Sequence, residues 1–227
     1  IHTGIKNEVL NVYGNFSQEF FDNAELNWNR YTRLFKEAEN YLESILEEIK
    51  KLEMDKDTMI LVMSDHGVST GEKFGEHAYA AFCYDYTLRT FTYFLTPDLP
   101  VIEIKNQTRT IDFMPTILEY LKIPLDDNFS HVNGVSLLPY IHGNPVPENY
   151  AFTETGNPLQ EKTPPKEPNV KSVRTSKWKL IYNEHNDTKE LYDLEKDPDE
   201  NKNLIGTELE IENTLWEELV QIMNTRD

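Results

Sequence analysis

Thr58-Met59-Ile60-Leu61-Val62-Met63-Ser64-Asp65-His66-Gly67 decides the fold. Its first six residues are apolar or β-branched without polar alternation, which predicts a strand covered on both faces, as at the centre of an α/β sheet. The run stops abruptly in Ser64-Asp65-His66-Gly67, and layered α/β sheets place ligands at the carboxyl ends of their strands. Position therefore nominates Asp65 and His66. A carboxylate and a neutral imidazole leaving one rigid strand end can reach a common divalent cation, although two adjacent residues make half a site. The bland alternative stays open here: Asp65 caps the next segment and His66 is a satisfied polar group of the interior. Gly67 lets the backbone turn away without a side chain crowding that space.

Upstream, Trp28, Tyr31, Leu34, Phe35, Ala38, Tyr41, Leu42, Ile45, Leu46, Ile49 and Leu52 recur at spacings of three and four. One apolar stripe with Glu and Lys opposite predicts an amphipathic helix from about Trp28 to Met54. Residues 1–27 lack such periodicity. Downstream, Phe91–Leu95 reads as a short strand, Thr110–Leu121 as a helix with Pro115 tolerated in its first turn, and Tyr150–Thr153 as the last strand of the main layer. Asn157–Asn169, with four prolines, reads as a linker or long surface loop. Beyond it Ser172–Arg174, Trp178–Tyr182 and Glu190–Leu194 read as strands, the last two forming an antiparallel hairpin around Asn183–Asp187. An amphipathic helix over about Glu208–Met223 closes the chain. The organisation expected is an α/β core over 1–156 and an antiparallel-sheet and helix subdomain over 157–227.

Composition bounds the partners. The 227 residues include 11 Phe, 12 Tyr and 3 Trp, ample for a packed core. A formal net charge of -18 disfavours nucleic acid and anionic lipid as partners. It also repels an anionic substrate at long range, so any sulfate or phosphate site must be built locally, by a metal ion or a few focused donors. No apolar run approaches the ~18 residues of a membrane span, and no secretory leader opens the sequence. Four Asn-x-Ser/Thr sequons, at Asn15, Asn106, Asn128 and Asn186, leave localisation open. The single cysteine, Cys83, allows no internal disulfide and reads as a buried small residue.

Six blocks, in order from Met59 to Pro198, resemble the sulfatase family of the alkaline phosphatase-like superfamily. They are Met59–Gly67 (MILVMSDHG), Gly75-Glu76-His77, Tyr84–Arg89 (YDYTLR), Ile111–Leu118 (IDFMPTIL), Gly134–Pro139 (GVSLLP), and Trp178–Ile181 with Glu190–Leu194 and Asp197-Pro198. The resemblance implies an alkaline phosphatase-like α/β fold: the C-terminal half of a mixed sheet with flanking helices, followed by a small antiparallel sheet and helix. It implies that Asp65 and His66 are metal ligands, with Ca²⁺ favoured and Mg²⁺, Mn²⁺ or Zn²⁺ admissible. It implies that the other ligands and the nucleophile, a formylglycine made from cysteine in a C-x-[PA]-x-R motif, come from an N-terminal half that partners this one. Cys83, followed by Tyr-Asp-Tyr-Thr, does not match that motif.

His77 and His2 become candidate acid–base groups on the substrate side, while Glu76 and Arg89 read as a buried structural pair. The lysine many sulfatases place between these blocks is missing from Ala78–Cys83, and Lys73 lies on the wrong side of Glu76. The leading expectation is a metal-dependent sulfatase acting on sulfate esters, with this chain inactive in isolation. A phosphoryl transferase or phosphodiesterase of the same superfamily, acting on phosphate esters, is the second reading. A non-catalytic acidic binding module is the third.

Overall fold

The computed structural model describes residues 18–73, 82–125, 132–144, 146–156, 169–184 and 187–225. They fall into two compact units, the first drawn from within 1–97 and 155–170 and the second from within 98–154 and 171–227.

In the first unit a short helix α1 (Gln18–Asp22) leads into the long helix α2 (Ala24–Lys51). The helix begins four residues before the apolar stripe. It ends at Leu52 because Glu53 adopts a left-handed φ of 58°, which an α-helix cannot continue. A 3₁₀ turn (Met54–Lys56) then delivers the chain to strand β1 (Ile60–Met63). A one-turn helix α3 (Asp85–Leu88) precedes strand β2 (Thr92–Leu95). β1 and β2 pair antiparallel, with Ile60 opposite Leu95 and Met63 opposite Thr92. The sequence led us to expect β1 to be covered on both faces. Among the described residues that cover is partial: Ile60, Leu61 and Val62 are half-buried and Met63 is exposed, and along its edges the strand has one hydrogen-bonded neighbour. An unbroken apolar run records the surroundings a strand is built for, not how many of them one chain supplies.

In the second unit a 3₁₀ turn (Thr110–Asp112) runs into helix α4 (Phe113–Tyr120). Buried Asp112 organises this corner. Its carboxylate takes the Arg109 guanidinium, at 2.7 Å to Nη2 and 3.2 Å to Nε, and the Val135 N–H at 3.0 Å. Gly134 crosses so close to this turn that a Cβ there would stand 1.9 Å from the Ile111 carbonyl oxygen. Thr116 Oγ1, bonded to the Asp112 carbonyl, accepts the Leu137 N–H at 2.9 Å just before the short helix α5 (Leu138–Ile141). The Ile111–Leu118 and Gly134–Pro139 blocks are thus two halves of one joint.

The second sheet holds β3 (Ala151–Thr155), β4 (Val170–Arg174), β5 (Trp178–Asn183) and β6 (Thr188–Asp193), hydrogen-bonded in that order. β5 and β6 form the expected antiparallel hairpin, with Trp178 opposite Asp193 and Asn183 opposite Thr188. β3 corrects an expectation. It joins these strands and not the layer of β1, a choice fixed by long-range pairing that a five-residue run cannot reveal. Helix α6 (Leu209–Asn224) buries Leu215 and Leu219 against Val173, Leu180 and Leu191. Except for Asn169, the Pro-rich stretch Asn157–Asn169 lies outside the described residues.

Candidate functional site

Asp65 and His66 leave the end of β1 on a segment tied on both sides. Ser64 donates its N–H to the Phe91 carbonyl at 3.1 Å, and Gly67 donates its N–H to the Thr87 carbonyl at 2.8 Å. Between these ties the side chains point outward, 74% exposed for Asp65 and 39% for His66. Neither is sealed in the interior.

The pair is internally arranged. Asp65 Oδ1 accepts the His66 N–H at 3.0 Å, and Oδ2 stands 3.7 Å from His66 Nε2. His66 Nδ1 lies 2.6 Å from the Gly67 carbonyl oxygen. A carbonyl can only accept, so Nδ1 carries the proton and, in the neutral ring, Nε2 carries the lone pair. Tyr31 of α2 approaches the same corner. Burial pushes its phenol above the ordinary value, and the negative charge of Asp65 pushes the same way.

This donor set fits a divalent cation. Two ligands bound at about 2.0–2.5 Å to one ion, at angles near 90–110°, stand roughly 3–4 Å apart, which brackets the 3.7 Å seen. A metal-bound histidine characteristically donates its other ring N–H to a carbonyl or carboxylate, as Nδ1 does here. Among the described residues no group of three or more His, Cys, Asp or Glu gathers around a common point, so the set remains a pair.

The other sequence candidates fare differently. His2 and His77 lie outside the described residues, as does Glu76. Arg89 is exposed, with its N–H closing α3 on the Asp85 carbonyl at 2.7 Å; its half of the expected buried pair is therefore corrected. Cys83 is fully buried, with a left-handed φ of 63°. Lys73 sits over the Tyr84 ring at 5.2 Å. Sequence reading missed Tyr31 and Thr87. Tyr31 was visible only as one member of the apolar stripe, and nothing local sets Thr87 apart.

The fold is that of the alkaline phosphatase-like hydrolases. A structure solved in complex with its substrate D-glucosamine-2-N,6-O-disulfate superposes with a TM-score of 0.60 at 23% identity, covering 81% of this chain and 37% of that one. The phosphonate monoester hydrolase of Agrobacterium radiobacter superposes with a TM-score of 0.64 at 20% identity, covering 81% and 38%. Within this class the family is shown by sequence. The profile described as "Sulfatase" matches residues 2–123, and that described as "N-sulphoglucosamine sulphohydrolase, C-terminal" matches residues 75–225. The chain belongs to the sulfatase family. It is 29% identical over 192 residues to a choline-sulfatase of Rhizobium meliloti, covering 81% of this chain and 35% of the relative. It is 25% identical over 191 residues to a Δ4,5-hexuronate-2-O-sulfatase of Bacteroides thetaiotaomicron, covering 79% and 38%. The chain thus spans little more than a third of the length of these relatives.

Proposed function

We propose that the intact protein hydrolyses sulfate esters, and that Asp65 and His66 are two of the ligands of the divalent cation it uses. The observation that carries this reading is the facing pair of donor atoms, 3.7 Å apart at a solvent-open strand end, in a chain of the sulfatase family. Both curated relatives carry names of sulfate-ester chemistry, which supports the reaction class and leaves the substrate open. The net charge of -18 adds a physical reason for a cation. A protein this acidic attracts a sulfate ester only where a positive charge is held locally.

A bound divalent cation supplies charge neutralisation on the sulfuryl oxygens. The residues of this chain hold and orient. Asp65 keeps Oδ1 on the His66 amide and offers Oδ2. His66 keeps its Nδ1 proton on the Gly67 carbonyl and offers Nε2. The imidazole makes Mn²⁺ and Zn²⁺ admissible alongside Ca²⁺. His77 and His2 are proposed to move protons at the departing oxygen. No C-x-[PA]-x-R motif occurs in the sequence, so residues 1–227 alone are proposed to be inactive, with nucleophile and remaining ligands supplied by the rest of the intact protein.

The test is hydrolysis of an aryl sulfate, an aryl phosphate and an aryl phosphonate by the intact protein and its Asp65→Asn and His66→Ala variants. Several kcal/mol of lost stabilisation predicts a fall in kcat/KM of about 10²–10³-fold on the sulfate. Full sulfatase activity in Asp65→Asn after chelation would sink the metal assignment. A strong preference for phosphate or phosphonate would transfer the protein to the superfamily's phosphoryl chemistry.

A further inference from the structure

The end of β1 is held by main chain, and the way it is held bears on the histidine. Gly67 lies flat against the turn that opens α3. Its N–H bonds to the Thr87 carbonyl at 2.8 Å. A Cβ at position 67 would stand 2.1 Å from the Tyr86 carbonyl oxygen, 3.0 Å from the Tyr86 carbonyl carbon and 3.2 Å from Thr87 Cα. These three nearest atoms are all backbone, so the tightest contacts cannot be relieved by a side chain swinging away. The turn itself is firm: Thr87 is buried, and its N–H and Oγ1 both bond to the Tyr84 carbonyl, at 3.1 and 3.0 Å. The reason for glycine at position 67 is therefore this close approach, not crowding on the cation side as the sequence alone suggested. The same residue provides the carbonyl that receives His66 Nδ1 at 2.6 Å.

We infer that Gly67 is a positioning residue. By seating against the Tyr86–Thr87 backbone, it places the carbonyl that fixes the His66 tautomer and aims Nε2 at the cation. The block Tyr84–Arg89 then serves the site without touching it, as the surface on which that glycine rests. The inference depends on the reading of Asp65 and His66 as ligands. A side chain at 67 must move the segment by roughly 1 Å, because contacts below about 3 Å to a carbonyl oxygen are repulsive. Displaced supporting groups around a metal ligand typically cost 10–100-fold in affinity.

The experiment uses the intact protein labelled with ¹⁵N-histidine and stripped of metal, with His66 assigned by the signal lost in His66→Gln. The parent should show Nδ1 protonated and Nε2 bare; an Nε2-protonated ring in the parent overturns the inference whatever any variant does. Ca²⁺, Mn²⁺ and Zn²⁺ are then titrated singly, and the tightest binder is carried into Gly67→Ala. That variant should bind 10–100-fold more weakly and show a mixture of ring tautomers, a change that general destabilisation would not produce. Affinity in Gly67→Ala within twofold of the parent, while Asp65→Asn loses binding, overturns the role of Gly67 and leaves the site reading standing. Unchanged affinity in Asp65→Asn removes the site reading and this inference with it.

Discussion

Helices α2 and α6 are both amphipathic, yet they end in opposite circumstances. The 16 residues of α6 bury Leu215 and Leu219 against β4, β5 and β6, and Trp216 meets Tyr182 edge-on at 5.0 Å with Lys189 over its face at 3.5 Å. The 28 residues of α2 bury no side chain among the described residues, and Trp28 remains 52% exposed. The strands repeat the contrast: among the described residues β5 has a neighbour on each side, whereas β1 has one and faces Tyr93, itself 61% exposed, across the pair. The C-terminal sheet closes its own core and can hold charges inside it. The region that carries Asp65 and His66 keeps an apolar stripe and its polar pair at the surface. Trp28, Phe35, Tyr41 and Ile45 of that stripe are all exposed. The proposed ligand pair thus sits where the described packing is least complete.

The contrast can be tested where it is strongest. Lys179 and Glu200 pair at 2.8 Å with side chains 0% and 1% exposed. Replacing Lys179 by Met removes the ammonium that pairs with the buried Glu200 carboxylate and is expected to cost about 3–5 kcal/mol. Lys179→Met/Glu200→Leu, which removes both charges, should lie close to the parent or above it. Urea unfolding of residues 1–227, followed by tryptophan fluorescence, measures both. A loss below about 1 kcal/mol in the single variant would mean that the C-terminal core is open to water. Next in size, Leu191→Ala empties the centre of that core and should cost about 2–5 kcal/mol, whereas Ile45→Ala on exposed α2 should stay within about 0.5 kcal/mol. Equal costs would abolish the distinction. Gly134→Ala should fall between, at roughly 1–3 kcal/mol, because its Cβ would meet the Ile111 carbonyl oxygen at 1.9 Å.

Much of this is legible in the sequence itself. The stripe from Trp28 to Leu52 announced α2 because helical spacing is local, and the break at Ser64-Asp65-His66 announced the strand end because polarity changes within two residues. The hairpin of β5 and β6 was legible for the same reason. What stayed hidden depends on distant pairing. The sheet that β3 joins is chosen by partners far along the chain. Lys179 sits in a strand and would pass for a solvent-facing residue, and only Glu200, arriving from a loop with a left-handed φ of 53°, reveals it as buried. At the proposed site, the sequence nominated Asp65 and His66 but not the backbone that Gly67 rests on: neither Thr87 nor Tyr86 carries a chemical signature, and both meet Gly67 through backbone atoms.

The smallest expected effect separates the two regions by pH. Asp193 closes β6 in a buried position, and burial alone would raise its carboxyl. The Lys196 ammonium at 3.0 Å, the Lys196 N–H and the charge of Lys177 outweigh that, holding it below its ordinary value of 3.8. A carboxyl depressed in the folded state contributes stability that is full above the unfolded value and is lost as pH falls through the folded one. Lys196, raised chiefly by its bond to Asp193, has the opposite sign: its contribution is full below the ordinary lysine value and fades only as pH climbs through the raised one. Urea midpoints for residues 1–227 should therefore fall on the acid side below the ordinary carboxylate range, and Asp193→Asn should flatten part of that slope while lowering the plateau. The exposed Glu48–Lys51 pair on α2, at 3.1 Å, supplies the control, since surface pairs contribute about 0–1 kcal/mol and Lys51→Gln should leave the acid slope unchanged. If Lys51→Gln flattened the profile as much as Asp193→Asn, the acid response would belong to surface charge in general, and a closed C-terminal core would not be needed to explain it.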